Sequence, residues 1–261
     1  MKFYKWNNSL LIVVISLLLS SCVNTRKAVY FNGLNDGTIN SNTPVPETVI
    51  QNNDLLTISV SSLNPDASAI FNAPNVYTYS LNGISGNTLM GYLVSTGGTI
   101  EFPILGTIKA AGLTKEQLKQ AITKKLVDQK LLTDPIVSVR FLNFRVTVLG
   151  EVNHPAVIPV PNEKISLLEA IGLAGDLTIY ARRDNVMVIR EDENGNKEIK
   201  RIDLNSTELL SSPYYYLRSN DIVYVEPNKA RVASSGRGQI WVPAVLSGLS
   251  LVAIVVDRLV K

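Results

Sequence analysis

Residues 144–176 read FRVTVLGEVNHPAVIPVPNEKISLLEAIGLAGD, and the fold class follows from how this stretch divides. Phe144 to Val152 alternates in the manner of a half-buried strand. Asn153-His154-Pro155 supplies turn chemistry, so Val157 to Val160 is expected to run back beside it as a hairpin. Ser166 stands three residues before Glu169, the spacing of a capping box, in which each side chain satisfies the other's free backbone N–H. That pair opens a two-turn helix over Leu167 to Leu173, and Gly175 sits where a left-handed residue ends a helix.

The same plan is echoed upstream. Ile104-Leu105-Gly106-Thr107-Ile108 mirrors Val148-Leu149-Gly150-Glu151-Val152, and Thr114 with Gln117 forms a second capping box ahead of Leu118, Ile122 and Leu126 at helical spacing. Gln51-Asn52-Asn53-Asp54 leads into Leu55 to Val60 as Leu217-Arg218-Ser219-Asn220-Asp221 leads into Ile222 to Val225, each a polar turn feeding a strand. Two related units are expected within the 261 residues.

Working outward, Leu55 to Ser62 predicts a strand with Leu56, Ile58 and Val60 on one face. Asn64 to Gly98 is a long excursion carrying Tyr77, Tyr79 and Tyr92, a length that points to contacts rather than plain connection. Thr99 to Ala111 reads as strand and turn, Thr114 to Leu126 as a helix, and Pro135 to Leu142 as a strand meeting the central hairpin. Asn194-Gly195 marks a turn pairing Val186 to Arg190 with Glu198 to Leu204. Small strands around one short helix give an α+β fold of β-grasp character.

The chain begins with Lys2 and Lys5, an apolar run Leu10 to Leu19, and Leu19-Ser20-Ser21-Cys22. This is the form of an export signal, residues 1–21, ending in an apolar-small-small-Cys order like the bacterial lipobox, with Cys22 as the lipidation residue. Residues 22–46 read as a polar tether and 228–239 as a hinge with Ser234-Ser235-Gly236. From Ile240 to Val256, seventeen residues carry no charge, and 240–261 is expected to be a membrane-spanning helix. Trp241 marks one interface, while Ala244, Ser247, Gly248 and Leu251 fall at i, i+3, i+4 and i+7 as a stripe open to close helix approach.

Composition narrows the chemistry. Without Lys2 and Lys5, 23 basic residues face 22 acidic ones, with no basic cluster, which argues against a nucleic-acid partner. One Cys precludes an internal disulfide and one His leaves little for a metal site, so neither metal nor cofactor is expected. Nucleophile-elbow, P-loop and zinc-protease motifs are all missing. His154 between Asn153 and Pro155 reads as a turn residue before a general base, and Glu169 as a capping residue before a partner of Asp176 in acid–base work. No catalytic residue is assigned. Tyr214-Tyr215-Tyr216 has two readings, a stacking face for sugar rings or a loop partly in core or interface. Arg182 and Arg183 likewise suit an anion, a solvated turn or a salt bridge to a neighbouring subunit.

Taken together, residues 97–106 (GGTIEFPILG), 146–152 (VTVLGEV), 173–178 (LAGDLT) and 183–186 (RDNV) resemble the polysaccharide export outer-membrane lipoproteins, the Wza-like family, in the shorter form associated with Bacteroidetes. The resemblance implies a polysaccharide export domain over about 47–142 and an SLBB (soluble-ligand-binding β-grasp) domain over about 143–227. It implies a homo-oligomeric ring, typically an octamer, whose lumen passes polysaccharide, whose C-terminal helices form a barrel in outer-membrane lipid, and which works with an inner-membrane polysaccharide co-polymerase. Asn153-His154-Pro155-Ala156 stands where the family has Asn-x-Pro-Gly, and one SLBB unit stands where longer relatives carry two. A ring of this kind would use Tyr77, Tyr79, Arg182 and Arg183 at subunit contacts. The function expected is a channel subunit; the alternatives are a membrane-anchored SLBB module holding a soluble ligand or sugar, and a periplasmic polysaccharide-modifying enzyme.

Overall fold

The computed structural model describes residues 29–32, 34–38, 47–81, 84–89, 91–192, 195–234 and 238–260. Cys22 and the signal segment lie outside them. The fold is mixed α+β, with two principal sheets, two separate hairpins and few helices.

The first sheet is built on β1 (Leu55–Ser61), whose alternation buries Leu56, Ile58 and Val60. It pairs antiparallel along its length with β7 (Ile136–Phe141) and, at Leu55 and Leu56, with the short β4 (Tyr92–Leu93). Beyond β4, two asparagine side chains take the place of a neighbouring strand. Asn75 accepts from Ile58 N–H and returns its amide to Ile58 O at 2.8 Å, and Asn72 does the same at Val60, at 2.8 and 2.7 Å. Such pairing satisfies strand groups that burial would otherwise leave bare. The long excursion is therefore ordered: it holds α1 (Pro65–Ala69), a 3-10 turn, and the hairpin of β2 (Val76–Leu81) with β3 (Ile84–Leu89). Helix α2 (Lys115–Asp128) covers the sheet with Leu118, Ile122 and Leu126, all fully buried, and starts at the expected capping box of Thr114 and Gln117.

The echo of the central hairpin holds less far. Ile104 to Gly106 lies at the turn of a separate hairpin, β5 (Thr99–Phe102) with β6 (Gly106–Lys109), so Gly106 opens a strand where Gly150 closes one. β7 takes β1 as its ladder partner and meets the central hairpin at its end, where Phe141 packs edge-on against Phe144 at 6.4 Å.

The second sheet has the order β11-β10-β12-β8-β9. β8 (Arg145–Gly150) and β9 (Ala156–Pro159) form the expected hairpin, Arg145 facing Pro159 and Val148 facing Ala156. The helix α3 (Leu167–Leu173) follows, capped by Ser166 and Glu169 through bonds of 3.1 and 2.7 Å, and buries Leu167, Ala170 and Ile171. β10 (Ala181–Glu191) and β11 (Lys197–Ile202) pair antiparallel; Asn194 of the expected turn lies outside the described residues. The last strand, β12 (Ile222–Pro227), runs parallel to the first, β8. Pairing of first and last strands about one helix is the β-grasp arrangement expected from the sequence.

Their junction explains Gly150. At φ +93°, a Cβ there would lie 2.1 Å from Val225 O, inside the parallel pairing. Only glycine lets the two backbones close.

The tether and hinge are more structured than their composition suggested. Phe31 N–H donates to Leu204 O at 3.1 Å and Asn32 N–H to Asn205 O at 2.9 Å, strapping 29–32 to the second sheet. In the expected hinge, Asn228 Oδ1 accepts Arg231 N–H at 2.9 Å and starts α4 (Lys229–Ser234). α5 (Gly238–Val260) follows. The segment is helical as expected, but among the described residues no helix is long and apolar enough to cross a membrane. This corrects the expected span: seventeen uncharged residues at about 1.5 Å each give roughly 25 Å, short of a hydrocarbon layer of about 30 Å.

Candidate functional site

The second sheet gathers most of the residues singled out above, and it turns several of them inward. Tyr214 is buried, its ring against the Arg190 guanidinium at 4.7 Å. Burial, then a hydrogen bond to Glu198, pushes its hydroxyl up to about 12. Tyr215 packs edge-on against Tyr216, at 5.0 Å between ring centres, and Tyr216 carries Lys164 over its face at 4.9 Å. Tyr214 is thus turned into the fold, whereas Tyr215 is half-buried against the core and Tyr216 is half-buried beside it.

Arg190 closes a buried pair that spacing could not reveal. Its Nη2 lies 2.7 Å and its Nε 3.0 Å from the Asp221 carboxylate, with Asp221 1% exposed. Asp221 Oδ2 also accepts Arg218 N–H at 2.8 Å within the turn before β12. The twin turn before β1 repeats this geometry, with Gln51 N–H on Asp54 Oδ2 at 2.7 Å and Asn53 and Asn220 at φ +67° and +66°. Asp54 is equally buried but has no salt-bridge partner among the described residues, and loss of solvation pushes its carboxyl up to about 6. Gln51, Asp54, Arg218 and Ser219 line a polar cavity of about 400 Å³, so the twin turns share a space where the two sheets meet.

A further link joins the units through Glu163, at φ +55°. One carboxylate oxygen accepts Phe141 N–H at 2.9 Å and the other meets Lys115 at the start of α2. Sequence reading missed this residue, because its partners lie 22 and 48 positions away.

Arg182 and Arg183 part company. Arg182 bonds Glu226 at 3.0 Å and Asp184 at 3.4 Å, and Glu226 also takes Arg201 at 2.8 Å and Asn185 at 2.6 Å. These bonds, Arg201 first, hold the Glu226 carboxyl below its usual range. Arg183 is 8% exposed and lies under the Tyr30 ring at 5.8 Å. The Tyr30 hydroxyl donates to Asp176 Oδ1.

His154 is the turn residue expected: its N–H donates to Ala174 O at 2.8 Å, and its ring fills the space over Gly175. Asn153 Nδ2 reaches Gly175 O at 2.6 Å, which docks the hairpin turn on the end of α3. Glu169 serves its cap and Asp176 serves Tyr30, so they form no acid–base pair. Among the described residues no group of His, Cys, Asp and Glu could hold a metal ion. Tyr77 and Tyr79 stand in β2, their side chains outside the described residues, and Cys22 lies outside them altogether. Trp241 and Leu251 on α5 are 65% and 64% exposed, and Ala244, Ser247 and Gly248 are exposed beside them.

Against known families, residues 42–142 match polysaccharide biosynthesis/export protein and residues 144–225 match the SLBB domain. Over these two segments the chain is similar to the polysaccharide export protein family. That is a family of export proteins and not of enzymes. The first match takes in β1 to β7, and the second takes in the five-stranded sheet. Among curated proteins, the chain is similar to the EPS I polysaccharide export outer membrane protein EpsA of Ralstonia solanacearum, with 34% identity over 142 residues, 53% of this chain and 37% of that protein. The EpsA of Ralstonia nicotianae is 33% identical over 153 residues, 57% of this chain and 39% of the relative. The chain therefore aligns with less than half the length of these relatives.

Proposed function

We propose that this chain is a subunit of an oligomeric outer-membrane channel that exports capsular or extracellular polysaccharide. The observation that carries the reading is the tandem match, an export family followed directly by an SLBB domain. The EpsA relatives, named for EPS I polysaccharide export, support the class of cargo and the outer membrane as the location.

On this reading residues 1–21 are cut away and Cys22 becomes an acylated N-terminus. Residues 47–142 and 143–227 form the export and SLBB domains of a ring, and an inner-membrane co-polymerase supplies the polymer. Helix α5 is the assembly element. Its exposed Trp241, Val245, Leu246, Leu251 and Ile254 form an apolar surface poorly suited to water alone, and Gly248 leaves room for a close neighbour. Tyr77, Tyr79 and Arg182 are proposed to contact adjacent copies.

The test is the mass of full-length protein purified in mild detergent, combined with complementation of an export-deficient strain. A ring of several copies, lost together with export when 238–261 is removed, is expected. A monodisperse monomer that restores export would refute the channel. Cys22→Ala is expected to leave unprocessed precursor without lipid label.

A further inference from the structure

The residues that lead back toward Cys22 and those that lead on to α5 grip the same loop, 174–180, between α3 and β10. From one side Tyr30 donates to Asp176 Oδ1, which also accepts Leu177 N–H at 2.6 Å. The flanking strap is fixed by Phe31 and Asn32 on Leu204 and Asn205. From the other side Asn228 N–H donates to Tyr180 O at 2.7 Å, and Arg231 in α4 lies over the Tyr180 ring at 5.5 Å while bonding Glu151 at 3.1 Å. Glu151 takes Thr178 Oγ1 as well, at 2.8 Å. Between the two grips, Ile179 is 79% exposed.

We propose that loop 174–180 is a membrane-facing corner that rests Ile179 on the phospholipid surface of the leaflet holding the lipid of Cys22. The inference rests on the reading of Cys22 as acylated. Val29 follows Cys22 by seven residues, which at most about 3.6 Å each keeps the strap within roughly 25 Å of the lipid attachment. On the other side, the apolar α5 begins four residues after the end of α4. A lipid attachment this close to the strap orients the SLBB unit with that loop toward the bilayer, on the side from which the apolar surface of α5 also leaves.

The experiment uses the full acylated chain, in which the thiol of Cys22 is consumed. Ile179→Cys, carrying an environment-sensitive fluorophore, is reconstituted into phosphatidylethanolamine–phosphatidylglycerol vesicles with brominated acyl chains. Ile136→Cys, at an equally open position of β7 (69% exposed), is the control. Quenching at 179 at least twofold greater than at 136 is expected, and it falls in Tyr30→Phe, which removes only the hydroxyl on Asp176. Equal quenching at 179 and 136 in protein that floats with the vesicles overturns the corner and leaves acylation standing. Protein that does not float with the vesicles overturns the acylation reading, and the corner with it.

Discussion

The twin turns before β1 and β12 offer a matched pair of perturbations. Asp221→Asn leaves the Arg190 guanidinium, 6% exposed, without its counter-ion, while Asp54→Asn replaces a carboxylate that has no salt-bridge partner among the described residues. Breaking a buried pair by removing one partner costs about 3–5 kcal/mol, against a total stability of about 5–15 kcal/mol. Asp54→Asn keeps an oxygen for Gln51 N–H and relieves the burial of a charge, so at pH 7 its cost is about 1 kcal/mol or less. The two also differ with pH. The Asp54 carboxyl is pushed up from 3.8 to about 6, so the folded state holds this proton more tightly than the unfolded chain does. The resulting stabilisation is complete below about pH 4 and disappears as pH rises through about 6, a change of up to about 3 kcal/mol at 1.36 kcal/mol per unit. Urea unfolding of the full chain in detergent, followed by far-UV circular dichroism from pH 4 to 7, measures both effects. Asp54→Asn should flatten that pH slope and Asp221→Asn should lower the plateau. Equal losses in the two variants at pH 7, or a loss under about 1 kcal/mol for Asp221→Asn, would refute the assignment of the Arg190 pair.

Two further substitutions examine the joints of the fold. Gly150→Ala drives a Cβ to 2.1 Å from Val225 O at φ +93° and is expected to cost at least about 2 kcal/mol, read as a lower melting temperature and faster amide exchange in β8 and β12. Glu163→Gln loses the contact with Lys115 but keeps an acceptor for Phe141 N–H, so it should cost about 1–2 kcal/mol and speed proteolysis between the two units, with little change in the circular dichroism spectrum.

Local chemistry was legible in the sequence and long-range pairing was not. Both capping boxes, the Arg145–Pro159 hairpin and the twin polar turns depend on residues within a few positions of one another, and each forms as its spacing implies. The mirrored pieces Ile104–Ile108 and Val148–Val152 misled, because similar letters carry no information on which strand lies alongside. Gly106 ends up next to its own hairpin partner, whereas Gly150 meets a strand more than seventy residues away. The tether was judged from its polar composition, yet Tyr30 and Phe31 are two adjacent aromatic residues in that segment. That pair was the available signal that part of it docks.

The same distinction explains which surface candidates survived. Arg182 and Arg183 are adjacent in sequence, and a strand sends adjacent side chains to opposite faces, so one arginine had to face away from the other. Arg183 falls on the side covered by Tyr30 and Arg182 on the side shared with Glu226 and Arg201. The tyrosine run divides for a related reason: Tyr214 needs the Arg190 guanidinium as a polar floor, and Arg190 needs Asp221 to be buried at all. A residue type that looks made for ligands is thereby consumed by the charge it covers. On α5 the exposed residues Trp241, Val245, Leu246, Leu251 and Ile254 gather on one helix, and apolar surface of that extent points to lipid or to another copy of the chain rather than to a dissolved sugar.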